Sequence, residues 1–242
     1  MDKGVKISAA THVGLLRPRN EDRFCIPDWS SSGQEDSWQG YTVREGCWAL
    51  VADGMGGHGA GEVASKVVVK ILSKHLPSIP SADGLVKAIQ FANDKVHEAM
   101  YSEHGRPGMG STVVGVQLHG QICTCFNVGD SRAYLLRRKQ LRRLSLDHTP
   151  EGGIRQKFRS HALTQSLGGT VSRVEPQPHI EKVAVLPGDH ILLCSDGLSD
   201  LISEDEIAEL MEKKSSRPAS LLINSALKAG GRDNITVVLL SI

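Results

Sequence analysis

Twice in this chain an apolar run stops on Asp-Gly. Trp48-Ala-Leu-Val-Ala52 ends on Asp53-Gly54, and Leu192-Leu-Cys-Ser195 ends on Asp196-Gly197. One such junction reads as a turn, because aspartate bonds local backbone and glycine adopts angles other residues avoid. Here the junction has companions. Phe126-Asn-Val-Gly129 stops on Asp130-Ser131, while Glu21-Asp22 and Asp233-Asn234 stand just before Arg23-Phe-Cys-Ile26 and Ile235-Thr-Val-Val238. In an antiparallel sheet the end of one strand lies beside the start of its neighbour. Acids placed after some strands and before others therefore gather along one edge. Gathered carboxylates repel one another unless a positive charge offsets them. With oxygen donors only, and no His or Cys at ligand spacing, the ion that suits them is hard, Mg²⁺ or Mn²⁺ rather than Zn²⁺.

The rest of the pattern says what carries these ends. Apolar residues at 60, 63, 64, 67, 68, 71, 72 and 76 predict an amphipathic helix over 59–76, and Leu85, Ala88, Ile89, Ala92, Val96 and Met100 predict a second over 82–101. The period then shortens. Runs at 111–118, 122–131, 132–138 and 140–146 read as a meander of hairpins with turns at 119–120, 130–131 and 139–140. The stretch 148–169 is polar and irregular and reads as a surface excursion. Strands near 179–186 and 190–195, helices near 204–213 and 218–229, and a strand at 235–242 complete the chain. Helices and strands grouped in blocks indicate α+β with antiparallel sheets. Nothing resembles a linker, so residues 1–242 are expected to form one domain.

Composition removes some partners. Twenty-eight basic residues balance twenty-seven acidic ones, leaving a net charge of +1. That gives no bulk electrostatic reason to expect nucleic acid or a membrane surface. No apolar run approaches the roughly 20 residues that cross a bilayer, and the N-terminal stretch lacks the apolar core of a secretory signal. The five cysteines include no Cys-x-x-Cys pair, and Cys123 and Cys125 share one face of a strand as small hydrophobes. A reduced, cytoplasmic protein is expected.

Three further features bear on chemistry. Arg17, in Arg17-Pro-Arg-Asn-Glu-Asp22, precedes Glu21 and Asp22 by four and five residues. It either grips a phosphate with two parallel hydrogen bonds or simply pairs with those acids. The loop Asp53–Glu62 is glycine-rich but lacks the Gly-Lys-Ser/Thr end of a nucleotide-binding loop. Its glycines allow close backbone approach, so the Gly54 carbonyl is a further candidate metal ligand. The basic cluster at 137–143 is the one footprint for a two-metal nuclease, and its alternation about a turn reads instead as a solvated edge.

Taken together, RPRNED (17–22), VADGMGGHGAGEVAS (51–65), GMGST (108–112), NVGDSRAYL (127–135), LLCSDGLSD (192–200) and DNITVV (233–238) resemble the motifs of bacterial metal-dependent protein phosphatases of the PP2C type. The resemblance implies a four-layer α-β-β-α sandwich, two antiparallel sheets flanked by helix pairs. It implies a serine/threonine phosphatase in which a hydroxide held between two metal ions attacks phosphorus in line. Carried over by motif, Asp53 bridges two Mn²⁺ or Mg²⁺ ions, with Gly54 as a further ligand. Asp196 and Asp233 bind metal directly, and Glu21 and Asp22 do so directly or through water. Asp130 with Asp196 holds a third ion, Arg17 holds the phosphate, and Asn234 supports the site from behind.

The chain departs from the family pattern in places. Met55 stands where some members carry a proposed general-acid His; His58 is then the candidate proton donor. His12 stands where bacterial members often have Asp. The flap, at about 148–168, is short, and with LTQSLGG (163–169) it is similar to phosphatases paired with a threonine kinase in type VI secretion loci. The expected partners are phosphorylated proteins, substrates of a cognate kinase, with no nucleic acid, no membrane insertion and a monomeric state. The alternative is a pseudophosphatase of the same fold that binds phosphoproteins without hydrolysing them.

Overall fold

The computed structural model of the chain describes residues 4–43, 45–57, 59–79, 81–150 and 162–242. Its β-rich runs pair into two six-stranded antiparallel sheets. In the first, the order is Gln140–Arg143, Arg132–Arg137, His190–Cys194, Ile235–Ser241, Val5–His12 and Ser37–Thr42. In the second it is His179–Ala184, Ile122–Val128, Val113–His119, Trp48–Ala52, Arg23–Ile26 and Trp29–Ser30. Three two-residue strands, Gly54–Met55, Gly110–Ser111 and Leu167–Gly168, make a small third sheet.

The two large sheets face each other across a core that includes Ile7, Phe24, Val51, Val116, Leu193 and Leu240. Helices α1 (Ala60–His75) and α2 (Ala82–Ala99) cover the outside of the second sheet, burying Val68, Leu72, Ile89 and Val96 against Leu50 and Phe126. Helices α3 (Asp196–Ser199), α4 (Glu204–Glu212) and α5 (Pro218–Lys228) cover the first, with Ile207, Leu222 and Ala226 against Tyr134, Leu192 and Leu239. The result is the expected α-β-β-α sandwich. It explains why the central strands read as continuous apolar runs. Trp48–Ala52 is buried at all five positions, because helices press on one face and the opposite sheet on the other. Helices α2 and α4 start where serines supply caps: Ser81 Oγ accepts from Gly84 N at 3.2 Å and Ser203 Oγ from Glu206 N at 3.2 Å.

The expected meander needs correction. Val113–His119 and Ile122–Val128 form one hairpin, and Arg132–Arg137 with Gln140–Arg143 another, but the two lie in different sheets. The segment 129–131 is therefore a crossover between sheets, opened by Gly129 at φ +100°. The second hairpin turns on Arg138 and Lys139, at φ +49° and +70°, one residue earlier than the sequence suggests. Left-handed angles at both turn residues match the strand twist. Nor is the excursion at 148–169 wholly irregular, since Leu167 is buried and pairs with Ser111. All five cysteines are free thiols in the core. Burial pushes the thiols of Cys25, Cys47, Cys123 and Cys194 up to about 12, so they pack as hydrophobes.

Candidate active site

Strand ends from both sheets meet at one side of the sandwich, and the acids meet with them. Asp53 leaves Trp48–Ala52 of the second sheet; Asp196 leaves His190–Cys194 of the first; Asp233 enters Ile235–Ser241; Asp130 sits in the crossover. With Glu21, Arg17, Gly54 and Asn234 they line a single cleft of about 500 Å³. Asp22 lies beneath its floor, almost wholly buried. His58 lies outside the described residues, and so does the middle of the flap, 151–161. The flap's two ends are tied together by Thr164 N donating to the His148 carbonyl at 2.8 Å. His148 in turn bonds Gly129, whose N–H donates to Nδ1 at 3.1 Å. Leu163 reaches the cleft wall.

Asp53, Asp22 and Glu21 are held by backbone and side-chain contacts that sequence patterning does not reveal. Asp53 N donates to Thr112 Oγ1 at 3.1 Å, Thr112 N donates to the Asp53 carbonyl at 2.9 Å, and Thr112 Oγ1 shares a 2.7 Å bond with Ser131 Oγ. Thr112 thus fixes Asp53 and ties it to the crossover bearing Asp130. Ser195 Oγ donates to Asp22 Oδ2 at 2.7 Å while accepting from Thr236 N at 3.0 Å. Asn234 holds the 13–22 loop at three points: its Oδ1 accepts from Glu21 N at 2.8 Å, and its Nδ2 donates to the Val13 and Arg19 carbonyls at 2.8 and 2.9 Å. The signal that could have found Thr112, Ser195 and Thr236 is a hydroxyl placed inside or beside an apolar run. A buried hydroxyl needs a partner.

The two Asp-Gly junctions now have a reason. A Cβ on Gly54 would collide with the Gly61 carbonyl at the start of α1 and stand 2.7 Å from the Glu21 carbonyl oxygen. A Cβ on Gly197 would meet the Asn234 carbonyl. Glycine is required because each acid-bearing turn is packed backbone to backbone against the loop of another ligand candidate. Neither junction is a free turn.

The electrostatics are those of acids short of positive charge. Burial is the largest influence on Asp53, and the charges of Asp22, Asp196, Asp130 and Asp233 add to it, so its carboxyl titrates well above the usual range. Burial and Asp196 push Asp130 up to about 7. Burial raises Glu21 too, offset by Arg17 and by the N–H groups of Glu62 and Gly61. Of the two readings open to Arg17, pairing with Glu21 or Asp22 is not what the structure shows. The Arg17 Nη2 reaches Asp233 Oδ2 at 2.5 Å, from the far end of the chain.

The donor set suits a hard divalent cation. All the side-chain donors are carboxylates, buried Asp22 Oδ1 has no hydrogen-bond partner, and glycine at 54 lets a backbone carbonyl approach. Among the described residues no three His, Cys, Asp or Glu side chains are gathered closely enough to enclose an ion alone. The acids instead ring a cleft wide enough for ions that keep several waters, as Mg²⁺ does. The basic cluster is largely neutralised: Arg137 pairs with Asp189 at 2.7 Å, Arg142 with Glu181 at 2.8 Å, and Arg143 with Asp147 at 3.2 Å.

A model of the family described as Protein phosphatase 2C matches residues 30–228. Over 246 aligned positions the chain is 33% identical to the serine/threonine protein phosphatase PstP of Mycobacterium tuberculosis, a match covering 97% of this chain and 44% of that protein. The chain thus spans less than half the length of that relative. With the serine/threonine phosphatase stp of Listeria monocytogenes it shares 37% identity over 210 residues, 78% of this chain and 82% of the relative. Among solved structures, the catalytic domain of PstP in complex with two manganese ions superposes with a TM-score of 0.77 at 31% identity, covering 98% of each chain. PppA, described as a key regulatory component of the type VI secretion system in Pseudomonas aeruginosa, superposes at 0.78 with 28% identity, covering 98% of this chain and 97% of that one. This chain belongs to the protein phosphatase 2C family.

Proposed function

We propose that the chain hydrolyses phosphothreonine and phosphoserine on proteins with the help of divalent metal ions, acting as one domain over 1–242. The observation that carries this reading is the meeting of Glu21, Asp53, Asp130, Asp196 and Asp233 with Arg17 in one cleft, in a member of this family. Asp53, Asp196, Asp233, Glu21 and the Gly54 carbonyl would hold two Mn²⁺ or Mg²⁺ ions. Asp130 with Asp196 would hold a third, and Asp22, beneath the floor, would act through water. When bound, such ions lower the pKa of a coordinated water and neutralise phosphoryl oxygens.

The protein's own groups do the rest. Unneutralised, the carboxylates repel a phosphate dianion, so substrate enters only a cation-loaded cleft. Arg17 grips two phosphoryl oxygens through its fork of donors. Asn234 pins the loop that carries both Arg17 and Glu21. Met55, which lines the cleft where some relatives place His, has no proton to give.

Retention of the whole acid set argues against the pseudophosphatase alternative. The pairing of Arg137, Arg142 and Arg143 with acids argues against a nuclease. The substrates are proposed to be targets of a bacterial Ser/Thr kinase, and the likeness to PppA supports a type VI secretion setting.

The test is phosphate release from a phosphothreonine peptide, with and without Mn²⁺, by wild type and Asp196→Asn. The expected rate requires Mn²⁺ and falls by roughly a hundredfold or more in the variant, the loss of several kcal/mol of charge stabilisation. Wild-type protein that binds Mn²⁺ yet releases nothing from phosphothreonine or phosphoserine peptides would turn the reading to the binding module.

A further inference from the structure

Among the described residues two arginines, Arg17 and Arg19, line the cleft. Arg17 is matched by Asp233. Arg19, two residues on, is exposed, and among the described residues it is matched with no carboxylate. Its guanidinium lies over Gly59, with Nη1 2.9 Å from where a Cβ of that residue would stand, at the rim rather than among the acids. Its base is fixed: the Arg19 carbonyl accepts from Asn234 Nδ2 at 2.9 Å, and the preceding Pro18 restricts the backbone.

Arg19 also lines a second groove beside the cleft, with Pro18, Gly33, Glu35 and Glu62. The two carboxylates of that groove have other partners than Arg19: Glu62 pairs with Arg23 at 2.9 Å, and Glu35 stands 3.2 Å from His12 Nε2. Among the described residues Arg19 is thus a cation with no carboxylate partner, placed between the catalytic cleft and the groove. A peptide running from one into the other passes over it.

We propose that Arg19 is a specificity-determining residue that receives a second anionic group of the substrate, a carboxylate side chain or a second phosphate. The proposal rests on the phosphatase reading above. The spacing follows from chain geometry. Residues 17 and 19 are two trans peptides apart, at most about 7 Å between Cα atoms, and an extended peptide advances about 3.3 Å per residue. Because Arg17 reaches toward Asp233 while Arg19 lies over Gly59, the second anion is placed about two or three residues from the phosphorylated one.

The experiment compares wild type, Arg19→Ala and Arg19→Glu, with Mn²⁺, on phosphothreonine peptides that differ only in flanking positions. These carry neutral residues, aspartate, a non-hydrolysable phosphonate or lysine, placed in turn on either side. Wild type is expected to favour the aspartate or phosphonate flank over the neutral one by about fivefold in kcat/KM, as suits an exposed ion pair, with the preference fading as salt rises. A preference shared by both acidic flanks assigns any anion to Arg19, and one confined to phosphonate assigns phosphate. The preference is expected to vanish in Arg19→Ala and to turn toward lysine in Arg19→Glu, a gain that misfolding cannot produce. Turnover of all peptides at equal kcat/KM by wild type, or an acidic preference that survives in both variants, overturns the proposal. A wild type silent on every peptide overturns the phosphatase reading instead.

Discussion

Replacing Asp22 with asparagine should raise stability at one pH relative to another, and the size of the change follows from where the side chain sits. Asp22 is 1% exposed, its Oδ2 accepts from Ser195 Oγ at 2.7 Å, and its Oδ1 has no hydrogen-bond partner. Burial pushes its carboxyl up to about 7, against the hydroxyls of Ser195 and Thr236 that pull it down and with the charges of Asp196 and Asp233 that push it further. An acid whose pKa is raised on folding contributes stability that is full below its unfolded value, near 4, and is lost as pH rises through about 7. Between pH 5 and pH 8 about two units of that loss occur, roughly 3 kcal/mol at 1.36 kcal/mol per unit. Asparagine has no charge to lose. It does place an N–H₂ where one oxygen had no partner, a cost of about 1–3 kcal/mol at every pH. The stability of Asp22→Asn minus that of wild type, measured in EDTA, should therefore rise by about 3 kcal/mol from pH 5 to pH 8. That is about 6–12 °C of melting temperature for a chain of this size. Parallel melts at the two pH values read it directly; the titration of Asp130 is common to both proteins, and Asp53, whose carboxyl the Asp22 charge helps to raise, adds to the difference in the same direction. Adding Mn²⁺ at pH 8 should stabilise wild type more than the variant, since an ion that binds the native state contributes RT ln(1 + [L]/Kd). An equal difference at pH 5 and pH 8 would refute the reasoning, for it would mean that the Asp22 charge is solvated or already offset.

Asn234→Ala removes the group that ties the 13–22 loop to the start of Ile235–Ser241 and leaves a Glu21 N–H and two carbonyls without their partner. The expected outcome is a loss of about 2–4 kcal/mol in a urea melt, and a Mn²⁺ requirement raised about 10–100-fold in a titration of activity. Gly54→Ala drives a methyl into the Gly61 carbonyl at the start of α1. It should cost about 3 kcal/mol or more by thermal melt. Gly57→Ala, at φ +65° with nothing within 4 Å, should cost only about 1–2 kcal/mol of backbone strain.

How much of this could be read beforehand divides along a physical line. Long-period signals were legible: α1 and α2 fall within a few residues of their predicted spans because their apolar faces bury against a whole sheet. The gathering of acids was legible too, since strand direction alone sends their ends to one edge. The strand Ser37–Thr42 was not seen. It lies at the edge of the first sheet, alternates between exposed and half-buried residues and includes Gly40, so little apolar burial marks it. The assignment of strands to sheets was also hidden. The runs 122–128 and 132–137 look like successive arms of a hairpin, and only Gly129 at the break hints that the chain passes to the opposite sheet.

The crossover bears directly on the site. Had 122–137 been a hairpin, Asp130 would be a loop-tip residue projecting from one sheet. As a crossover it places Asp130 between Asp53 on one sheet and Asp196 on the other, and the Thr112–Ser131 hydroxyl bond fixes the crossing to the Asp53 turn. The acids thus come from both sheets and rest on a core that the two share. A change in the spacing of the sheets is therefore felt at the cleft even where no cleft residue is altered. Packed interiors transmit such shifts because they have little free volume to absorb them. The fully buried Val51 and Leu193, two and three residues before Asp53 and Asp196, set that spacing, and both lie in the core between the sheets. The cleft is in this sense a property of the sandwich as much as of the loops, which is why glycine, hydroxyl and amide groups with no charge occupy so much of its support.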